Sequence, residues 1–393
     1  MSATDPLQSP SANGLTWAQR LVRLNTVSRE SNLALIECIA DHLRSLGVPL
    51  RLTHDGTRRK ANLYATIGAG KPNGVILSGH TDTVPWDGQA WTVDPLSATV
   101  QDGRLYGRGS ADMKAWIGLV VAQTQDWLDA DLPHALHYAF SYDEEVGGFG
   151  ARGLIADLDE AGLLRNDSAP RICIVGEPTS MVPAIAHKGV HRWRCCVRGK
   201  AAHSSLTPSA VNALEAAARV VTHISDLASE LRDTEPRQAG FDVPYSTAAV
   251  CVIEGGIADN VVPEDCRFHY EFRDLPGADA AAMQDRVTAY AATLEGAMKA
   301  IEPSAGFRFE NTALMPSFLA RPDEPAVQLA QRLADTAQTT LVAFGTEAGL
   351  FQRAGLSTVV CGPGSINQAH QADEYVSLAQ LAKAEAFLQG LAR

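Results

Sequence analysis

Residues 75–114 read VILSGHTDTVPWDGQAWTVDPLSATVQDGRLYGRGSADMK. Val75, Ile76 and Leu77 are an apolar, β-branched run between Gly74 and Gly79, the pattern of a buried strand. His80 and Asp82 stand where that strand ends. In extended backbone, residues two apart point to one face. An imidazole beside a carboxylate is what a metal-bound histidine needs: one ring nitrogen binds the ion and the other donates its N–H to the acid. Farther on, Gly107, Gly109 and Ser110 make a turn, and Asp112 precedes an apolar helical run from Met113 to Val121. Standing alone, Asp112 reads as a helix N-cap.

Outward from this stretch, strands and helices alternate. Strands are expected at 49–53, 62–67, 136–141, 171–175 and 357–361, and helices over 16–47, 151–164, 325–338 and 377–392. That order implies an α/β layered domain with a mostly parallel sheet, whose functional groups lie beyond the carboxyl ends of the strands. His80, Glu144, Glu145 and Glu177 occupy such ends, and His370 follows the last strand. Between 184 and 310 the pattern changes to strand–helix–strand–strand–helix–strand, a ferredoxin-like unit. The expected organisation is a discontinuous catalytic domain, 1–183 and 311–393, carrying an inserted domain, 184–310.

A chain of 393 residues suits two domains. Its net charge of −12 argues against nucleic acid or an anionic membrane as a partner. The opening MSATDPLQSPSANG lacks a basic-then-apolar signal pattern, and no apolar run nears membrane-spanning length. Seven cysteines without a CxxC pair read as reduced, mostly buried thiols of a cytoplasmic protein.

His80, Asp112, Glu144, Glu145, Glu177 and His370, with Asp82 nearby, make a nitrogen-and-oxygen donor set that zinc, cobalt or manganese accepts. Calcium would not recruit two histidines. So many acids suggest two ions sharing a carboxylate, roughly 3.5–4 Å apart, with a water between them. Adjacent Glu144 and Glu145 diverge at a strand end, so one can bind metal while the other takes a proton from water.

Six segments, SGHTDTVP, GRGSADMK, YDEEVGG, VGEPT, GKAAHSS and GPGSINQAHQADEYV, lie in order from residue 78 to residue 376. Through them the chain resembles the dinuclear zinc aminoacylase and carboxypeptidase family that includes acetylornithine deacetylase, succinyl-diaminopimelate desuccinylase and carboxypeptidase G. The GEPT and GPGSINQAHQ segments look most like the acetylornithine deacetylase branch. The resemblance implies a zinc-peptidase-like catalytic domain, an inserted lid and dimerisation domain, and two zinc ions per subunit for which cobalt can substitute. Asp112 would bridge the ions, His80 and Glu177 would complete one site, and Glu145 and His370 the other. Asp82 would hold His80, Glu144 would be the general base, and the Asp112–Met113 peptide would be cis. His203 would reach the scissile carbonyl of a neighbouring subunit, Arg273 would hold the substrate carboxylate, and Asn260 would contact substrate across a homodimer. The implied reaction is removal of an acyl group, acetyl first, from an amino acid, with N2-acetyl-L-ornithine and arginine biosynthesis foremost. The nearer alternative is the same chemistry on another N-acyl amino acid, succinyl-diaminopimelate or a dipeptide. The farther one is a non-catalytic metal- or peptide-binding relative.

The residues also admit plainer readings. Acids at strand ends are often solvated loop residues. His187 and His191 read as exposed strand histidines, Arg273 as half of a structural salt bridge, and Asn260 as a turn residue. The GGFG run at 147–150 lacks the lysine and threonine of a nucleotide site.

Overall fold

The computed structural model describes residues 9–165 and 169–393, so residues 1–8 of the polar N-terminal stretch lie outside the described residues. The chain divides into two compact units. One comprises residues up to Ala186 with Phe318–Val342 and Thr346–Arg393, and the other His187–Ser317 with Ala343–Gly345. The sequence places these boundaries at 184 and 310 instead. Where the order expected from residue 184 begins with one strand, the chain breaks at Lys188–Gly189 into two, Ala184–His187 and Val190–Arg198, and the unit's last strand runs on from Gly306 to Met315.

Among the described residues of the first unit, a nine-stranded sheet runs in the order Leu50–His54, Ala61–Ile67, Leu136–Ser141, Gly74–His80, Pro170–Pro178, Ser357–Gly362, Ala184–His187 and Phe318–Leu319. Thr340–Val342 pairs with Ala184–His187. The four central strands, Leu136–Ser141 to Ser357–Gly362, are parallel, and their outer neighbours join them antiparallel. Every residue of Gly74–His80 is buried, as expected of a strand covered on both faces. Helices supply the cover. Leu33–Ser45 turns Leu35, Ile36, Ile39, Ala40 and Leu43 inward at helical spacing, and ends at Gly47, whose φ of 74° suits glycine. Lys114–Ala122 is buried on all sides, packing between the sheet and the terminal helices. Trp116 of that helix donates its indole N–H to the Ser78 carbonyl at 3.0 Å. A Cβ on Gly176 would collide with that indole, so glycine there lets the ring lie against the strand one residue before Glu177.

A small three-stranded sheet, Thr99–Gln101, Arg104–Tyr106 and Tyr375–Ser377, had no signal in the sequence. It pairs Tyr106 with Tyr375 and Leu105 with Val376, and so brings the Gly107–Asp112 loop beside the His370–Glu374 loop.

The second unit has a four-stranded antiparallel sheet in the order Thr247–Gly255, Asp265–Arg273, Val190–Arg198, Gly306–Met315. Helices Ala213–Thr234 and Ala280–Ile301 pack their apolar stripes on one face, against Cys195, Val197, Phe268, Tyr270 and Phe272. His187 and His191 are not exposed strand histidines. Both are buried, and His191 Nε2 lies 2.9 Å from Asp274 Oδ1. The His187 ring bonds the Lys188 carbonyl through Nδ1 at 2.9 Å, and burial pushes its pKa down to about 4. All seven cysteines are free thiols. Among the described residues, no helix is long and apolar enough to cross a membrane.

Candidate metal centre

The parallel strands deliver their ends to one place. His80 closes the Gly74–His80 strand, and register pairs it with Ser141, three residues before Glu144. Glu177 lies near the end of Pro170–Pro178. Asp112 stands just before the Lys114–Ala122 helix; the N-cap position itself falls to Met113, and the Asp112–Met113 peptide is cis. His80 Nε2 lies 2.8 Å from Asp112 Oδ1 and 3.5 Å from Glu177 Oε1. His370 Nε2 lies 3.2 Å from both Asp112 Oδ2 and Glu145 Oε1. The donor atoms of His80, Asp112 and Glu177 fall within 4.8 Å of one another, as do those of Asp112, Glu145 and His370. Asp112 belongs to both groups through different oxygens, as a bridging carboxylate would.

The electrostatics of this cluster fit dications. Burial disfavours charge on His80, yet Asp112, Glu177 and Glu144 hold its pKa well above the ordinary value. Burial likewise opposes charge on His370, but Asp112 and Glu145 raise it to about 10. Asp112, although buried, is held well below the usual carboxylate range by the two histidines. Glu144 and Glu177 are pushed well above it by burial and by neighbouring acids. Imidazole nitrogens and carboxylate oxygens in groups of three are ordinary ligands for zinc-type ions, which would take the place of the imidazolium protons.

Asp82 does something other than the sequence pattern suggests. The His80 Nδ1–H donates to the main-chain carbonyl of Asp82 at 3.0 Å, while the Asp82 carboxylate is 3.7 Å away. That carboxylate instead accepts the backbone N–H of Glu144 at 3.1 Å and of Glu145 at 3.3 Å, and the Ser28 hydroxyl at 2.7 Å. Strand alternation puts both side chains on one face, but the Tyr142–Gly148 turn presents its unpaired amides to the acid first. Asp82 therefore positions the glutamate pair.

Two further acids escaped sequence reading. Glu347 is buried; it accepts the Ser78 hydroxyl at 3.1 Å and that of Ser141, joining the strand that ends in His80 to the strand that leads into Glu144. Glu374 is buried against Arg108, 2.7 Å from it. Glu374 lies inside the GPGSINQAHQADEYV segment and Glu347 outside all six segments, and nothing in the spacing of either announces a partner.

The remaining expected site residues belong to the second unit, whereas every metal-ligand candidate, Glu144 and Asp82 belong to the first. His203 is exposed, and its Nδ1 accepts the Ser205 N–H at 3.2 Å, which leaves the proton on Nε2. The Ser204 N–H bonds the Asn260 carbonyl at 2.9 Å, so His203 and Asn260 share one loop cluster. Arg273 ends the Asp265–Arg273 strand and pairs with Glu271 at 3.0 Å.

The sequence profile of peptidase family M20/M25/M40 matches residues 76–393. The chain belongs to that family. Acetylornithine deacetylase of Proteus mirabilis is 37% identical over 355 residues, 89% of this chain and 87% of the relative. Among solved structures, the fold is similar to an M20 family metallo-carboxypeptidase of Sulfolobus solfataricus, with a TM-score of 0.73, 16% identity and coverage of 97% and 99% of the two chains. It is similar also to a Bacillus subtilis protein described as a dinuclear metal binding peptidase of the family, with a TM-score of 0.60, 15% identity and coverage of 96% of each chain. Family and site together make this protein a metal-dependent hydrolase of the deacylase and peptidase type.

Proposed function

We propose that the protein hydrolyses the amide of an N-acyl amino acid, with N2-acetyl-L-ornithine as first substrate and arginine biosynthesis as its setting. The observation that carries this reading is the 37% identity, over 89% of the chain, to a relative named for acetylornithine deacetylation. Two divalent ions, zinc or cobalt, would be held by His80, Asp112 and Glu177 and by Asp112, Glu145 and His370, and would supply Lewis acidity to the acyl carbonyl and to water. Glu144 belongs to neither ligand group. Its carboxylate takes a proton from the attacking water and returns it to the departing nitrogen as the carbon–nitrogen bond breaks. Asp82 fixes the main chain from which Glu144 acts.

His203 carries its proton on Nε2 and is suited to donate to the developing oxyanion, a contribution of roughly 2.7–4 kcal/mol. In this reading the donor is the partner subunit's His203, in a homodimer built on the second unit. Supporting it, the Thr247–Gly255 strand lies at a sheet edge and exposes Val252 and Ile253. Arg273 receives the substrate carboxylate on the guanidinium nitrogens that Glu271 leaves available, and Asn260 adds a contact beside His203. The free thiols suit a cytoplasmic enzyme.

The test is a panel of N-acetyl, N-succinyl and N-formyl amino acids and dipeptides, assayed for released amine with zinc or cobalt present. N-acetylornithine is expected to give the highest kcat/KM. A dipeptide or succinylated diamino acid turned over far better would overturn the substrate assignment.

A further inference from the structure

We propose that the buried Arg108–Glu374 pair is a positioning device for the metal centre, strapping the loop that carries Asp112 to the loop that carries His370. The inference rests on the dinuclear reading above and adds to it a reason why the Asp112, Glu145 and His370 group holds its spacing.

The two loops come from distant parts of the chain, and the Arg104–Tyr106 and Tyr375–Ser377 strands bring only their outer ends together. Beyond the last ladder pair, the contacts run through Glu374. Its Oε1 accepts the backbone N–H of Ala111 at 2.9 Å and of Asp112 at 3.1 Å. Its main-chain carbonyl accepts the Gly107 N–H at 2.9 Å. Its Oε2 accepts Arg108 Nη1 at 2.7 Å. Arg108 Nη2 donates to Gln89 Oε1 at 2.5 Å, and Gln89 Nε2 donates to the His370 carbonyl at 2.9 Å. A closed circuit results, from the Asp112 amide through Glu374, Arg108 and Gln89 to the main chain of His370.

Stability alone is a poor reason for such a pair, since apolar residues of similar volume often serve as well in a core. Both side chains are only 1% exposed. What apolar residues lack is a group that accepts two backbone amides on one side and a guanidinium on the other. Only a carboxylate does both, and partners that orient ligands typically govern metal affinity by tenfold or more. His80 and Glu177 lie on the central strands, outside this circuit, so the pair acts chiefly on the ion shared by Asp112, Glu145 and His370.

The test is zinc titration calorimetry on metal-stripped, full-length protein, with His370→Ala marking which binding step belongs to that ion. Glu374→Gln is nearly isosteric, but its single acceptor oxygen leaves an N–H facing an N–H on one side. It is expected to weaken the His370-side ion about tenfold or more, and to change the other ion by less than about threefold. Gln89→Leu, at a half-buried position, is expected to weaken the same ion without moving the unfolding midpoint of the stripped protein. Both variants folded by circular dichroism, yet binding that ion with wild-type affinity, would overturn the proposal. If Glu374→Gln does not fold, Gln89→Leu decides alone: wild-type affinity refutes the strap, and selective loss supports it. A wild-type protein that takes up only one ion would instead sink the dinuclear reading.

Discussion

Asp82→Asn separates two roles that one carboxylate can play beside a metal site. The acid accepts the amides of both Glu144 and Glu145. Asparagine keeps the shape but offers one oxygen, so one of those amides loses a charge-assisted bond worth about 1.5–3 kcal/mol. Against a global stability of about 5–15 kcal/mol, the variant should fold. The catalytic effect should be larger, because a 1 Å shift of a catalytic group can cost about 100-fold. We expect kcat to fall by about 100-fold and the Glu145-side ion to bind about 10–100-fold more weakly. The His80-side ion should be unchanged, because His80 donates to the main-chain carbonyl of residue 82, which any residue supplies. Steady-state kinetics and two-step metal titration, with folding followed by circular dichroism, give both numbers. If the His80-side ion weakens while the Glu145-side ion and kcat do not, the carboxylate holds the histidine and our reasoning is wrong.

Glu144→Gln should abolish turnover with both ions still bound, and Glu145→Ala should lower metal content; loss of metal from Glu144→Gln would reverse the assignment. Mixing His203→Ala with Glu144→Ala should restore part of the activity if the histidine acts across a dimer, since one site then has both groups intact, and subunit exchange is checked by differently tagged chains. The His370 pKa, raised to about 10 by Asp112 and Glu145, keeps the ring protonated at neutral pH, so metal uptake must expel that proton. Apparent affinity should therefore rise with pH through the neutral range, by up to about tenfold per unit for each proton displaced, and calorimetry in buffers of different ionisation enthalpy should register the release. An affinity that is flat between pH 6 and 8 would contradict it.

Much of the candidate site is legible in the sequence. Short apolar runs rich in β-branched or aromatic residues and bounded by turn residues read as strands, and His80, Glu144, Glu145 and Glu177 are legible as polar residues at or just past the ends of such runs. His370 and Asp112 were legible through the motifs around them. The ferredoxin-like order of the inserted segment also followed from local periodicity, although its first strand proved to be two. Local pattern failed where a side chain answers to residues far away. His187 and His191 looked like exposed strand residues because alternation says which face a side chain takes, but not what covers that face. Asp82 sits two residues from His80, and that spacing suggested a bond to its ring. The carboxylate went instead to two amides of a turn some sixty residues on, because backbone N–H groups in a tight turn have no ladder partner and a buried acid needs donors. Glu347 and Glu374 carry no signal at all in one dimension. Their roles exist only where strands from distant parts of the chain converge, and pairing between such parts depends on tertiary packing, which residue spacing along the chain does not encode.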